Sequence, residues 1–352
     1  MKKLIKKLFL VFLVIFLWMF LSFLIDPFGV FHPEHVRGYK ELSINSNFVK
    51  TYHVIKNPKR YNAFILGSSR VGGLPLNNLP KMHNGKKLNW YPLNYPSGTP
   101  EEFLKTLQIL LKYDINIDYL LVCFENNAKF HKTSENEKDL QTFHFQNWDR
   151  SKLNFYKYYF FIKPDKDLFY SIFHYDSAYA ENFRKSLFVF DESQDLSVPE
   201  SQNWTDDYEI RGFSTGEYTE KNAPIALGTI SKICEKKHIP CIFILNPTFQ
   251  NVYKKETSSG LYDFIYDVAK NCNFYNFAGL NNYTNDTRYF SDRSHYRSYV
   301  GNEMEKIIFG NDEQKIEAIK EAGEGLPYDT AFGMYVTNEN VRTLIDILKG
   351  QF

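Results

Sequence analysis

Tyr61-Asn62-Ala63-Phe64-Ile65-Leu66-Gly67-Ser68-Ser69-Arg70 is the stretch from which the rest of the chain can be read. Its apolar run has strand length, suits burial on both faces, and is stopped by Gly67. The spacing predicts a second strand over Leu88 to Leu93, ending at Asn94-Tyr95-Pro96-Ser97-Gly98. A helix opens next, because Thr99-x-x-Glu102 forms a capping box and Pro100 suits the first helical position. Phe103, Leu104, Leu107, Leu110 and Leu111 give that helix one apolar face. Tyr119 to Phe124 is a third strand. Later come a helix over Ile225 to Lys237 and a strand over Cys241 to Leu245, closed by Asn246-Pro247. Another helix follows over Leu261 to Lys270, then a short last strand from Phe274 and a closing helix over Arg297 to Ile308. Strands alternating with helices predict an α/β fold whose parallel sheet is covered on both faces. Ligands of such sheets bind beyond the carboxyl ends of the strands. Ser69, Gly98, Asn126 and Asn127 all fall just after strand ends.

A second segment, Asp292-Arg293-Ser294-His295, sits on the turn before the closing helix. A serine hydroxyl is a weak nucleophile until a base takes its proton, and a carboxylate improves the base by fixing its tautomer. Ser69, His295 and Asp292 are therefore the candidate catalytic residues. Gly-Ser-Ser after a strand is also a common turn, and Asp-x-x-His is also a helix-capping pattern, so the pairing carries the reading. Ser69 N–H and Gly98 N–H are candidate donors to an oxyanion. Arg70 reads as a cap on the site rim or the partner of an acidic neighbour.

Leu8 to Ile25 is an uninterrupted apolar run of about eighteen residues, enough to span a bilayer as a helix. Lys2, Lys3, Lys6 and Lys7 precede it and Asp26-Pro27 closes it. The positive-inside rule then predicts a cytoplasmic tail over 1–7, an uncleaved anchor over 8–25 and everything later outside the cytoplasmic membrane. A cleaved signal peptide wants small residues near its cleavage site, where Phe20, Phe23, Leu24 and Ile25 stand. Residues 26–60 read as a membrane-proximal connector, 61–310 as the α/β domain, and 311–352 as an extension with a helix-like stretch, Asn338 to Lys349.

A net charge of +1 without a clustered basic face points away from nucleic acid. At 43% hydrophobic and 17% aromatic, the chain is too apolar for disorder. Cys123, Cys234, Cys241 and Cys272 match no zinc spacing and read as free thiols, a Cys234–Cys241 disulfide being the alternative. His32-Pro33-Glu34-His35 lacks a third ligand, so no metal site is assigned, and no cofactor is expected. Residues 128–220 interrupt the alternation with a run of aromatics from Phe143 to Tyr175. They read as a satellite core beside the Ser69 site, with one or two rings walling an acceptor groove.

With these residues in view, the chain resembles the SGNH (GDSL-like) hydrolase superfamily. It looks most like the membrane-anchored bacterial members that act beside membrane-bound O-acyltransferases. Those include the alginate O-acetylation proteins and, more distantly, the teichoic-acid D-alanylation protein. The resemblance covers roughly residues 60–126 and 225–309 together with the anchor. It implies a three-layer, flavodoxin-like αβα sandwich. In the first block Ser69 takes the nucleophile's position and Ser68 replaces the usual aspartate. Gly98 matches the second block, whose backbone N–H serves the oxyanion hole. Asn126 or Asn127 supplies the third, although Glu125-Asn126-Asn127 departs from the usual Gly-x-Asn-Asp. Asp292 and His295 match the last block, Asp-x-x-His. The resemblance thus implies acyl transfer onto, or ester cleavage from, a cell-surface polysaccharide, with a multi-span acyltransferase as a possible partner. An inactive scaffold or glycan-binding subunit on the same fold is the alternative.

Overall fold

The computed structural model describes residues 2–26, 29, 31–32, 45–125, 166, 170, 173–188, 194–202, 218 and 221–352. The chain divides into two compact units, Met1–Lys56 with Glu137–Phe190, and Asn57–Asn136 with Asp191–Phe352. The described residues of the aromatic-rich insertion are therefore divided: 166, 170 and 173–188 fall in the first unit, and 194–202 and 218 fall in the unit that carries Ser69.

In the first unit, the Lys2–Ile25 helix has 24 residues and a mean hydropathy of 3.0 over its most apolar window. At about 1.5 Å per residue it is about 36 Å long, against a hydrocarbon core of about 30 Å. It is long and apolar enough to cross a membrane or to serve as a signal sequence. A second helix, Ser46–Lys56, buries Phe48, Val49 and Val54 and contacts the Ser177–Phe188 helix. Asn45 starts it by accepting the Phe48 N–H through Oδ1 at 3.0 Å.

The second unit is built on a six-stranded, mostly parallel sheet flanked by helices. Its strands are β1 (Ala63–Gly67), β4 (Trp90–Asn94), β5 (Tyr119–Phe124), β6 (Cys241–Leu245), β7 (Phe274–Asn276) and β8 (Met334–Val336). The intervening β2 (Met82–His83) and β3 (Lys86–Lys87) form a separate hairpin, closed by Asn84-Gly85 with both residues at positive φ. In the main sheet the order is β4-β1-β5-β6-β7-β8, all pairs parallel except the last. Among the parallel strands this is 2-1-3-4-5 in chain order, so the winding reverses at β1 and β5. Pro92 lies inside β4, which is tolerated because β4 is an edge strand.

Alternation sorts the strand residues onto two buried faces. Ala63, Ile65, Leu121, Cys123 and Ile244 share one core with Val300, Met304 and Ile307 of the Ser298–Phe309 helix. On the other face, Phe64, Leu66, Leu120, Val122 and Phe124 are buried, and Phe124 meets Phe264 edge-on at 6.2 Å. Phe264 belongs to the Leu261–Ala269 helix, which with Asn222–Lys237 and Pro100–Lys112 forms the layer on that side. Glu102 begins the Pro100–Lys112 helix as its spacing predicts, accepting the Thr99 N–H at 3.1 Å.

Differences from the sequence expectations fall at strand edges, after residue 310, and at two helices the spacing did not predict, Ser46–Lys56 and Gln250–Ser258. The second strand begins at Trp90 rather than Leu88, because the Leu88 N–H turns aside to Lys81 O at 2.9 Å. Phe274–Asn276 is not the last strand, since β8 pairs antiparallel beside it. The Asp312–Gly323 helix packs on Ser298–Phe309, and Val341–Lys349 packs on Leu261–Ala269. Residues 311–352 thus belong to the same compact unit and complete its sheet.

Candidate active site

Ser69 owes its position to the way β1 stops. A Cβ on Gly67 would lie 2.3 Å from Val71 Cγ2 and 3.1 Å from Cys123 O, so only glycine lets the chain turn this tightly. Ser68 is extended and caps the following 3-10 turn, Ser69–Gly73, by accepting the Arg70 N–H at 3.3 Å. Ser69 therefore starts a turn beyond the carboxyl end of β1, beside the strand where the winding reverses.

The 291–296 loop arrives from the other end of the chain. A bridge between Phe290 and Tyr296 closes it, reinforced by Ser291 N–H donating to His295 O at 2.9 Å. Within the loop Asp292 Oδ1 accepts the N–H groups of Ser294 and His295 at 2.7 and 2.9 Å. Its other oxygen meets His295 Nδ1 at 2.7 Å. The three-residue spacing thus lets one carboxylate shape the turn and hold the ring it carries. Across the gap, His295 Nε2 lies 2.7 Å from Ser69 Oγ. With Nδ1 facing a carboxylate, the proton belongs on Nδ1, leaving Nε2 to accept from Ser69. Partial burial works to raise the Asp292 carboxyl, but bonds from His295 and the Ser294 N–H outweigh it and hold it at about 2. Asp292 is ionised at neutral pH, with 28% of its side chain exposed, against 38% for His295.

Gly98 stands beside the end of β1, since a Cβ on it would lie 3.1 Å from Gly67 O and 2.8 Å from the Phe103 ring. Asn126 and Asn127 lie outside the described residues. Arg70 is 2% exposed, and the acidic neighbour it faces is Glu125, whose Oε1 lies 3.9 Å from its Nε.

A cleft of about 500 Å³ opens beside Ser69 and His295, bounded by the 69–73 turn, the 291–298 segment and residues 195–199. Gln194 accepts from Ser298 Oγ at 2.7 Å, and Gln202 accepts from Arg297 Nη2 at 2.6 Å through Oε1 and from Thr287 Oγ1 at 2.6 Å through its backbone carbonyl. Residues 194–202 of the insertion therefore flank the cleft, and among the described residues Asp195, Ser197 and Pro199 line that wall. Of the aromatics expected at a groove, Tyr170, Phe173 and Tyr175 are described; they are exposed and belong to the other unit. The run from Phe143 to Phe169 lies outside the described residues.

No family model, curated protein or solved structure matches the chain. Among the described residues no group of three or more His, Cys, Asp or Glu could hold a metal ion. All four cysteines are free thiols, with Cys123, Cys234 and Cys272 buried.

Proposed function

We propose that this protein is a membrane-anchored serine esterase or acyltransferase that works through an acyl-Ser69 intermediate. The observation that carries the proposal is the continuous relay Ser69 Oγ–His295 Nε2–His295 Nδ1–Asp292 Oδ2, with 2.7 Å at each contact. The 2-1-3-4-5 order of the parallel strands supports it, being the order of flavodoxin-like sheets and so compatible with the SGNH fold.

In the first half-reaction Ser69 Oγ attacks the ester carbonyl while its proton passes to His295 Nε2. Asp292 stabilises the imidazolium that forms. Negative charge grows on the carbonyl oxygen, where the N–H groups of Ser69 and Gly98 are the assigned donors; Asn126 or Asn127 is the further donor implied by the family pattern. Each such donor is worth about 100- to 1000-fold in turnover. Collapse breaks the ester C–O bond, and His295 returns the proton to the departing alcohol. In the second half-reaction His295 takes a proton from a sugar hydroxyl or from water, whose oxygen attacks acyl-Ser69; collapse then breaks the bond between the acyl carbon and Ser69 Oγ, and His295 returns the proton to the serine. The polar wall of Asp195, Ser197 and Ser298 beside Ser69 supports a hydroxyl-bearing acceptor, such as a surface polysaccharide. Four lysines before the apolar run of the first helix support an extracytoplasmic domain, where a membrane-bound O-acyltransferase could supply the acyl group.

The test uses the full chain in detergent micelles. A fluorophosphonate should label Ser69, located by peptide mass spectrometry, and 4-nitrophenyl acetate should be hydrolysed. Ser69→Ala should abolish both. An unlabelled wild type without hydrolysis would return the chain to the scaffold reading.

A further inference from the structure

Directly behind Ser69 lies a buried polar cluster that the relay does not use. Glu125, at the end of β5, is its hub: Oε1 accepts from Ser68 Oγ, accepts from Asn246 Nδ2 at 3.2 Å, and faces Arg70 Nε at 3.9 Å. Asn246 in turn accepts from Tyr296 Oη at 3.2 Å. All five side chains belong to residues no more than 5% exposed. Ser68 and Arg70 are the two neighbours of Ser69, and Tyr296 is the neighbour of His295. One carboxylate therefore ties both flanks of the nucleophile to the loop that carries the base, across the ends of β1, β5 and β6.

The charges matter as well as the bonds. Neutral side chains could bridge these segments without the desolvation cost of an ion pair. Here a guanidinium is buried next to the nucleophile, and neither of its terminal nitrogens, Nη1 or Nη2, has a hydrogen-bond partner among the described residues. Glu125 is the acid that balances it. The other charged groups around His295 are Asp292 and Arg293 on its own loop and Arg297 just after it. Asp195 stands across the cleft, and the titratable Glu305, which burial holds protonated at neutral pH, is behind Tyr296 on the Ser298–Phe309 helix.

We infer that Glu125 is a positioning residue for the Ser69 and His295 pair, setting their geometry through Ser68, Asn246 and Tyr296 and setting the local field by neutralising Arg70. The inference rests on the serine-esterase reading for its kinetic consequence, although its electrostatic consequence can be measured without turnover.

The test compares Glu125→Gln, Glu125→Asp and the double variant Arg70→Met/Glu125→Gln, each as the full chain in micelles. Two readouts are taken: the pH profile of 4-nitrophenyl acetate hydrolysis, and the pH midpoint of the His295 ring by NMR. Glu125→Gln keeps an acceptor oxygen but leaves Arg70 unbalanced. It should lower kcat about 10- to 100-fold with little change in KM. It should also move the acid limb of kcat/KM and the His295 midpoint to lower pH by on the order of one unit, because an unopposed cation disfavours the imidazolium. Glu125→Asp keeps the charge but shortens the reach, so kcat should fall while the midpoint stays. The double variant removes both charges and should return the midpoint to the wild-type value. Midpoints that coincide in wild type and Glu125→Gln, in folded protein, would overturn the field role. Wild-type kcat in Glu125→Asp and Glu125→Gln would overturn the positioning role. If wild type neither labels nor turns over, the esterase reading has failed, and the NMR midpoints alone decide this inference.

Discussion

Two glycines hold the halves of the site together, and adding one methyl group should separate them. Gly301 lies in the helix that follows the base loop, and Gly73 ends the turn that begins at Ser69. A Cβ on Gly301 would sit 2.0 Å from Gly73 O and 2.9 Å from Gly73 C. An ordinary carbon–oxygen contact is about 3.4 Å or more, so helix and turn would have to part by more than about 1 Å. Both colliding groups are backbone, and no side chain can swing away to absorb the clash. Gly301→Ala should therefore cost about 1–3 kcal/mol of stability, the usual range for overpacking. The displacement also acts on the 2.7 Å contact between Ser69 and His295. A misplacement of about 1 Å costs about 100-fold in rate, so turnover should fall by roughly that factor. Calorimetry of the full chain in micelles, alongside 4-nitrophenyl acetate hydrolysis, reads both effects. Gly72→Ala is the internal control for stability, since a Cβ there meets nothing within 4 Å. If Gly301→Ala melts with the wild type and keeps its turnover, the close approach does not govern the site.

Asp292→Asn should cut turnover about 10³- to 10⁴-fold, because the amide cannot hold the same tautomer of His295. The same carboxylate gives an acid signature. Its folded value of about 2 lies below the ordinary 3.8, so its stabilisation is full above about pH 4 and is lost as pH falls through about 2. Urea midpoints across that window should show a loss of roughly 2 kcal/mol in wild type that Asp292→Asn lacks. Glu305 has the opposite sign: burial pushes its carboxyl up to about 9, so it carries its proton at neutral pH. Its contribution is most favourable below about pH 4.5 and declines as pH rises towards 9. Glu305→Gln should remove that decline and raise stability at pH 9 by about 2–4 kcal/mol, measured by urea unfolding. No gain at that pH would mean that Glu305 is hydrated when ionised.

Local chemistry was enough to read the central elements from the sequence. Tyr119–Phe124 and Cys241–Leu245 are strands at their predicted bounds, because continuous apolar runs of that length fit a sheet buried on both faces. The 292–295 pattern was equally legible, since its aspartate bonds within three residues of itself. Edge elements were not: β8 has three residues, one of them exposed, and it exists only because β7 offers it a partner. Tertiary structure alone decided that the ends of β1, β5 and β6 meet at Glu125, since Ser68, Asn246 and Tyr296 are 57, 121 and 171 residues away from it along the chain. The same holds for the relay, whose serine and histidine stand 226 residues apart. Residue type and spacing determine which groups can do chemistry and how each is presented locally. Which of them share a hydrogen bond depends on strand order and helix packing, and those are set by burial summed over the whole unit.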